Sequence, residues 1–130
     1  KKVLRAISTH APSDVDWYAI DVRDTGLGGN PRISVIVGAG HEATAFWECT
    51  SGTTKSVVCG LGTAVTADAD LAARGCATTA GTSGAPPQLT MSIECDGTSS
   101  DHGRLSVRVR RAGSGVGDGC ERYSLTVLAE

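Results

Sequence analysis

Apolar and polar residues alternate along this chain in five clear stretches. The apolar positions lie two apart at Tyr18, Ile20 and Val22; at Ile33, Val35 and Val37; at Leu89, Met91, Ile93 and Cys95; at Leu105, Val107 and Val109; and at Tyr123, Leu125 and Val127. A period of two is typical of a β-strand with one buried face. The pattern therefore predicts five strands, and weaker patterns predict others over residues 3–8, 43–49 and 55–60.

Clusters of Gly, Ser, Thr, Asp and Pro separate these stretches and predict turns. Residues 66–75, TADADLAARG, are the one segment whose composition suits a short helical turn, and the Gly/Pro-rich residues 78–87 predict a surface loop. About eight short strands at this spacing predict an antiparallel β-sandwich. We expect residues 1–130 to form a single such domain.

The amino-acid composition limits the classes of function that this protein can have. The chain has 130 residues, of which 40% are hydrophobic, and a formal net charge of -2 without any basic block, which argues against a nucleic-acid partner. No apolar run approaches the ~18 residues that a membrane helix needs, so we expect no membrane insertion. The start, KKVLRAIS, lacks the apolar core of a signal peptide, and we expect a fragment excised from a longer secreted protein and fused there to other domains.

The five cysteines favour an oxidising compartment, secreted or at the cell surface. Cys49, Cys59, Cys76, Cys95 and Cys120 include no close pair of the kind that holds zinc or forms a thioredoxin-type centre. Dispersed cysteines in an exported domain indicate disulfides. Two bridges leave one thiol over and allow about fifteen arrangements. Our preferred first bridge joins Cys49 to Cys59, which flank the turn-like TSGTTK.

Catalytic motifs are weak. GTSGAP at 81–86 resembles the nucleophile motif of chymotrypsin-like proteases, and His10 and Asp16 precede it in the matching order. A catalytic triad also needs a large rigid scaffold and an oxyanion hole, and this chain is about half the length of such proteases. His10, His41 and His102 lie far apart in sequence and in polar settings. The sequence therefore predicts a protein that is not an enzyme.

The stretch SDVDWYAIDV, residues 13–22, contains the candidate metal ligands Asp14 and Asp16. Residues two apart in an extended segment point to the same side, so both carboxylates can approach one cation. Calcium takes six to eight oxygen ligands, so this pair would supply only part of a site. The alternative is a turn that leads into the strand beginning at Trp17.

This stretch, the glycine-rich turn and the strand RISVIV together resemble the opening of bacterial pre-peptidase C-terminal domains. The later cysteines, LSVRVRR and CERYSLTV resemble the cysteine-bearing variants of myxobacteria and their relatives. The resemblance implies a jelly-roll-like β-sandwich of about eight strands, similar to the collagen-binding domains of clostridial collagenases, in which an acidic segment helps to hold calcium. By position it implies calcium ligation by Asp14 and Asp16, although residues 1–10 contain no Glu or Asn to complete such a site.

Two functional hypotheses remain. In the first, the domain is a non-catalytic accessory module that docks its parent protein on polysaccharide or extracellular protein, with Trp17 and Trp47 as candidate ligand-binding residues, since exposed aromatic rings stack on sugars. In the second, it is a structural or interaction domain without a small ligand: a spacer, a secretion aid or a subunit of a surface assembly. In the second case the arginines at 104, 108, 110 and 111 would serve an acidic partner or solubility.

Overall fold

The computed structural model describes residues 2–9 as backbone and residues 13–23, 30–66, 73–79, 85–96, 101–113 and 120–130 in full. These residues form ten β-strands. The strands are β1 (Lys2–Thr9), β2 (Val15–Val22), β3 (Arg32–Val37), β4 (His41–Cys49), β5 (Thr53–Leu61), β6 (Thr63–Val65), β7 (Arg74–Ala77), β8 (Gln88–Asp96), β9 (Gly103–Arg111) and β10 (Glu121–Ala129).

The strands form two antiparallel sheets packed face to face. The first sheet has the order β1-β10-β3-β8-β5, and the second has the order β2-β9-β4-β7-β6. Early strands pair with late ones: β1 with β10, β2 with β9, β3 with β8 and β4 with β7. This nesting is the topology of a jelly roll, and β5 and β6 extend one side of it. The predicted fold class is confirmed.

Alternation along each strand builds the core between the sheets. In β3, β8 and β9 every second residue is buried, as the sequence pattern predicts. Trp47 is the largest fully buried side chain, and it packs where β9 begins. A Cβ atom on Gly103 would collide with the Trp47 ring, so this strand position has to be glycine for the indole to fit.

The predicted strands over residues 3–8, 43–49 and 55–60 are present as parts of β1, β4 and β5. Two short strands, β6 and β7, were not predicted, which accounts for ten strands rather than about eight. Of the segment predicted to make a helical turn, residues 67–72 lie outside the described residues, and its end, from Arg74, belongs to β7. The described residues contain no helix long and apolar enough to cross a membrane.

Two disulfides join the sheets. Cys49 in β4 pairs with Cys95 in β8, and Cys59 in β5 pairs with Cys76 in β7. The preferred bridge between Cys49 and Cys59 is therefore wrong. The turn between β4 and β5 leads from the second sheet into the first, so each cysteine instead faces a strand of the opposite sheet. Cys120 is a free, exposed thiol.

The two bridges should stabilise the fold to different degrees. Cys49–Cys95 spans 46 residues and Cys59–Cys76 spans 17, and a longer closed loop removes more entropy from the unfolded chain. Loop closure predicts losses of about 4 kcal/mol for Cys49→Ser with Cys95→Ser and about 3 kcal/mol for Cys59→Ser with Cys76→Ser. Urea unfolding of both double variants measures the difference. Equal losses, or a larger loss from the second pair, would contradict the loop-entropy explanation.

Candidate functional site

The outer face of the second sheet carries four rows of side chains across β2, β9 and β4. The register places Val15, Arg110 and Glu42 in one row; Trp17, Arg108 and Thr44 in the next; Ala19, Ser106 and Phe46 in a third; and Asp21, Arg104 and Glu48 in the last. Neighbouring side chains on one face of a sheet are close enough to contact each other. The face therefore combines aromatic, guanidinium, hydroxyl and carboxylate groups.

Phe46 lies on this face and yet is only 1% exposed. Its cross-strand neighbours are the small residues Ser106 and Gly75, and a Cβ atom on Gly75 would lie 3.0 Å from the phenyl ring. The ring therefore has room to lie against the sheet.

Trp17 and Arg108 pack against Phe46. The rings of Trp17 and Phe46 stack with centroids 6.0 Å apart, and the guanidinium carbon of Arg108 lies 5.7 Å from each ring centroid. These distances suit aromatic stacking and a cation–π contact, the latter worth about 0.5–1 kcal/mol at an exposed position. Trp17 is thereby held in place from one side.

The two tryptophans selected from the sequence have opposite environments. Trp17 is 42% exposed, whereas Trp47 is 1% exposed and belongs to the core. Because Phe46 and Trp47 are adjacent in β4, only one of them can point outward, and that one is Phe46. Trp47 therefore offers no surface to a ligand, and its assignment as a ligand-binding residue is corrected. Trp17 keeps that assignment as a candidate.

The arginine row predicted along β9 is present on this face, but its charges are balanced within the chain. Arg110 forms an ion pair with Glu42, and the Nε atom of Arg104 lies 3.4 Å from Oδ1 of Asp21. With Arg108 and Glu48, the described part of the face holds three arginines and three carboxylates. Such a face has no net charge to attract a polyanion.

Asp16 points to the opposite side of β2, toward the first sheet. Its Oδ2 atom accepts a hydrogen bond of 2.6 Å from the hydroxyl of Tyr123 in β10, and the Tyr123 and Tyr18 hydroxyl oxygens are 2.6 Å apart. A hydroxyl has one proton, so Tyr18 donates to Tyr123 and Tyr123 donates to Asp16. This chain of hydrogen bonds, the tyrosine relay, joins β2 to β10 across the sandwich. No local sequence pattern indicates the tyrosine relay, because its partners on β2 and β10 are more than a hundred residues apart.

Burial raises the pKa of Tyr123 above its ordinary value, and the bond to Asp16 raises it further. Burial also raises the pKa of Tyr18; the hydrogen bond with Tyr123 partly opposes this rise, and the negative charge of Asp16 adds to it. The ring of His41, itself fully buried, lies 4.6 Å from that of Tyr123. Its Nδ1 atom is 3.3 Å from the Ala39 carbonyl oxygen, and since a carbonyl only accepts, Nδ1 is the donor in this hydrogen bond.

The described residues contain no group of three or more His, Cys, Asp or Glu side chains that could hold a metal ion. Asp14 and Asp16 are both half-buried at the start of β2, and one oxygen of Asp16 is occupied by Tyr123. Residues 10–12, directly upstream, lie outside the described residues. Calcium ligation by this pair stays a prediction.

A groove of about 470 Å³ lies on the outer face of the first sheet. Its lining includes Arg32, Ser34, Val58, Thr90, Ser92 and Leu128. It is the size of a small-molecule site, but none of the five aromatic residues of the chain lines it. An exposed aromatic ring is found on the second sheet, at Trp17.

Comparison with protein-family models, with curated proteins and with solved structures gave no match. The resemblance to pre-peptidase C-terminal domains therefore stays a prediction. What defines the class of protein is the fold itself, a disulfide-linked jelly-roll β-sandwich with an aromatic residue exposed on one sheet.

Because of the tyrosine relay, we expect the stability of the domain to fall at alkaline pH. Both tyrosines of the chain belong to it, and both have a pKa raised above the unfolded value of about 10. Below about pH 10 both tyrosines are protonated in the folded and the unfolded chain, and their contribution to the free energy of unfolding is fully present. Above that pH the unfolded chain loses its phenolic protons first, so the free energy of unfolding falls by up to about 1.4 kcal/mol per pH unit for the buried Tyr123, and by less for the more exposed Tyr18.

Tyr123→Phe should lower stability at neutral pH by about 1–3 kcal/mol, because it leaves Asp16 without its donor, and should reduce the alkaline slope by at least half. Urea unfolding between pH 8 and about 11.5 measures both effects. Thr126→Val, a half-buried position of the same strand, serves as the control and should keep the wild-type slope. A Tyr123→Phe slope equal to that of wild type would exclude the relay as the cause.

Proposed function

We propose that this domain is a non-catalytic accessory binding module of a secreted or cell-surface protein, and that it docks that protein on polysaccharide through Trp17. The observation that carries the proposal is the 42% exposed Trp17 ring, held by Phe46 and Arg108 on the outer face of the second sheet. An indole fixed on one side and open on the other offers a flat apolar surface to a sugar ring, at little cost in side-chain entropy.

The surroundings of Trp17 favour an uncharged glycan. Arg104 and Arg110 are engaged with Asp21 and Glu42, so they offer hydrogen-bonding groups fixed in position rather than free positive charge. Ser106, half-buried in the row between Trp17 and Arg104, adds a hydroxyl group. Paired guanidinium and carboxylate groups beside an aromatic ring match the hydroxyl groups and apolar ring faces of neutral sugars.

The flat face also suggests how the module binds. Trp17 stands on an open sheet surface rather than in an enclosed pocket, and it is the one exposed aromatic ring among the described residues. A single stacked ring gives weak binding, so we expect retention to be clearest on long or insoluble polysaccharide, which presents many identical sites to each module. The two disulfides agree with an extracellular location.

Affinity electrophoresis against soluble neutral glycans, and pull-down with insoluble ones, tests the proposal. Trp17→Ala should weaken retention about tenfold or more, corresponding to a loss of at least about 1.4 kcal/mol, and Trp17→Phe should keep part of it. Leu61→Ala is the matched control, because Leu61 is 47% exposed on the other sheet. Trp47→Ala is unsuitable, since it would open a cavity in the core.

Retention that is unchanged in Trp17→Ala would contradict the proposal. An absence of retention on every glycan, and on a collagen matrix, would favour the alternative of a structural or interaction domain without a small ligand. The ion pairs of the arginine row favour that alternative. They pair the charged groups of the outer face with each other, without any binding partner.

Calcium ligation by Asp14 and Asp16 is a further part of the proposed function. A cation bound only by the folded chain raises the melting temperature, with about 2.7 kcal/mol gained at a concentration one hundred times Kd. We expect millimolar calcium to raise the melting temperature of the wild type and to have little effect on Asp14→Asn, with Asp21→Asn as the control. A wild-type melting temperature that responds neither to calcium nor to chelator would end this part of the proposal.

A further inference from the structure

The four edge strands of the sandwich differ in how they are protected from pairing with another strand. The ladder of β1 shifts register between Leu4 and Ile7, and that of β5 shifts twice, at Thr54/Ser56 and at Cys59/Leu61. β6 has only three residues. Bulges and short length are the usual ways in which edge strands avoid further pairing.

β2 has neither of these features. All eight of its residues pair with β9 in unbroken register, and among the described strands β9 is its single neighbour. It contains no proline or lysine, residues that commonly block an edge, and its inward carboxylate, that of Asp16, is already bound by Tyr123. Two of the four large exposed hydrophobic residues of the described chain, Val15 and Trp17, also lie on it.

From these features we infer that β2 pairs with β2 of a second copy of this chain, antiparallel and centred on Trp17, and so joins two second sheets into one continuous sheet. An antiparallel pair of identical strands has two-fold symmetry. Because one face of β2 is outward and the other inward, only registers that match outward with outward residues are allowed.

The pattern of β2 selects the register. Centring on Trp17 places Trp17 opposite its own copy and Val15 opposite Ala19, so every exposed apolar residue of the strand meets another one. It also places Asp16 opposite Tyr18, a carboxylate opposite a hydroxyl. Centring on Asp16 would put two carboxylates face to face, and centring on Ala19 would put Trp17 opposite Asp21. Apolar and aromatic pairs stabilise a sheet, whereas like charges directly opposite each other destabilise it.

The joint is small. One strand from each copy buries less than the ~1,200–2,000 Å² typical of stable complexes, so the dimer is weak and depends on protein concentration. It brings two Trp17 residues to one face of the joined sheet. The inference goes beyond the proposed function and is tested without any glycan.

The first experiment is sedimentation velocity of the full chain, with Cys120→Ser to remove the exposed thiol, over a concentration series. We expect reversible dimer formation. Ala19→Lys should weaken it about tenfold or more, because a lysine on an edge strand opposes pairing. Thr63→Lys, the same change on the protected edge strand β6, should leave it unchanged. A protein that stays monomeric up to millimolar concentration, or a dimer that Ala19→Lys leaves intact, would overturn the inference.

Cross-linking tests the register separately. In the Cys120→Ser background, Trp17→Cys should form a disulfide-linked dimer under mild oxidation, because opposite Cα atoms in an antiparallel pair lie about 4.5–5.5 Å apart. Ala19→Cys, which faces Val15 of the second copy, should not. Circular dichroism of both variants verifies that they are folded. Equal cross-linking of the two variants, or cross-linking of Ala19→Cys alone, would overturn the proposed pairing.

Discussion

The opposite directions of two adjacent side chains, Phe46 and Trp47, determine much of this structure. Neighbours in a strand cannot share a face, so β4 sends its indole into the core and its phenyl ring to the outer surface. Inside, Trp47 fills the space above Gly103 and is the largest buried side chain. Outside, Phe46 is buried beneath its neighbours on the outer face and stacks on the Trp17 ring. The main core anchor and the candidate binding surface therefore depend on the same two positions.

Different interactions join the two sheets at the two edges of the sandwich. On one side the Cys59–Cys76 disulfide joins β5 to β7, and Arg74 Nη1 donates a 3.2 Å hydrogen bond to the Lys55 carbonyl. On the other side the tyrosine relay joins β2 to β10 through three polar groups. A core with few aromatic residues gains from such links, since a small domain buries a modest fraction of its surface. The relay also gives Asp16 a structural role that does not require calcium.

The fold was predictable because alternation is a local property. Five strands, the inward set of β9 and its outward arginines follow directly from the period of two, and ten strands differ from about eight only through the short β6 and β7. The disulfide pairing was not predictable, because the turn after Cys49 moves the chain from one sheet to the other, and sequence spacing does not record this. For the same reason Asp16 and Tyr123 gave no sign of their contact. The sequence limited Phe46 and Trp47 to opposite faces, but which of them is buried depends on glycines at 75 and 103, on distant strands.

β2 presents chemical groups in three directions: inward, outward and along its backbone edge. Its inward residues, Asp16 and Tyr18, connect the two sheets; its outward residue Trp17 forms the exposed aromatic surface; and its backbone edge has no described neighbour beyond β9. Alternation keeps the inward and outward roles independent, so an outward substitution changes the surface without breaking the relay. The acidic pair that stands out in the sequence is thus part of a strand whose inward carboxylate helps to hold the sandwich together. Its outward indole is the group best placed to contact another molecule.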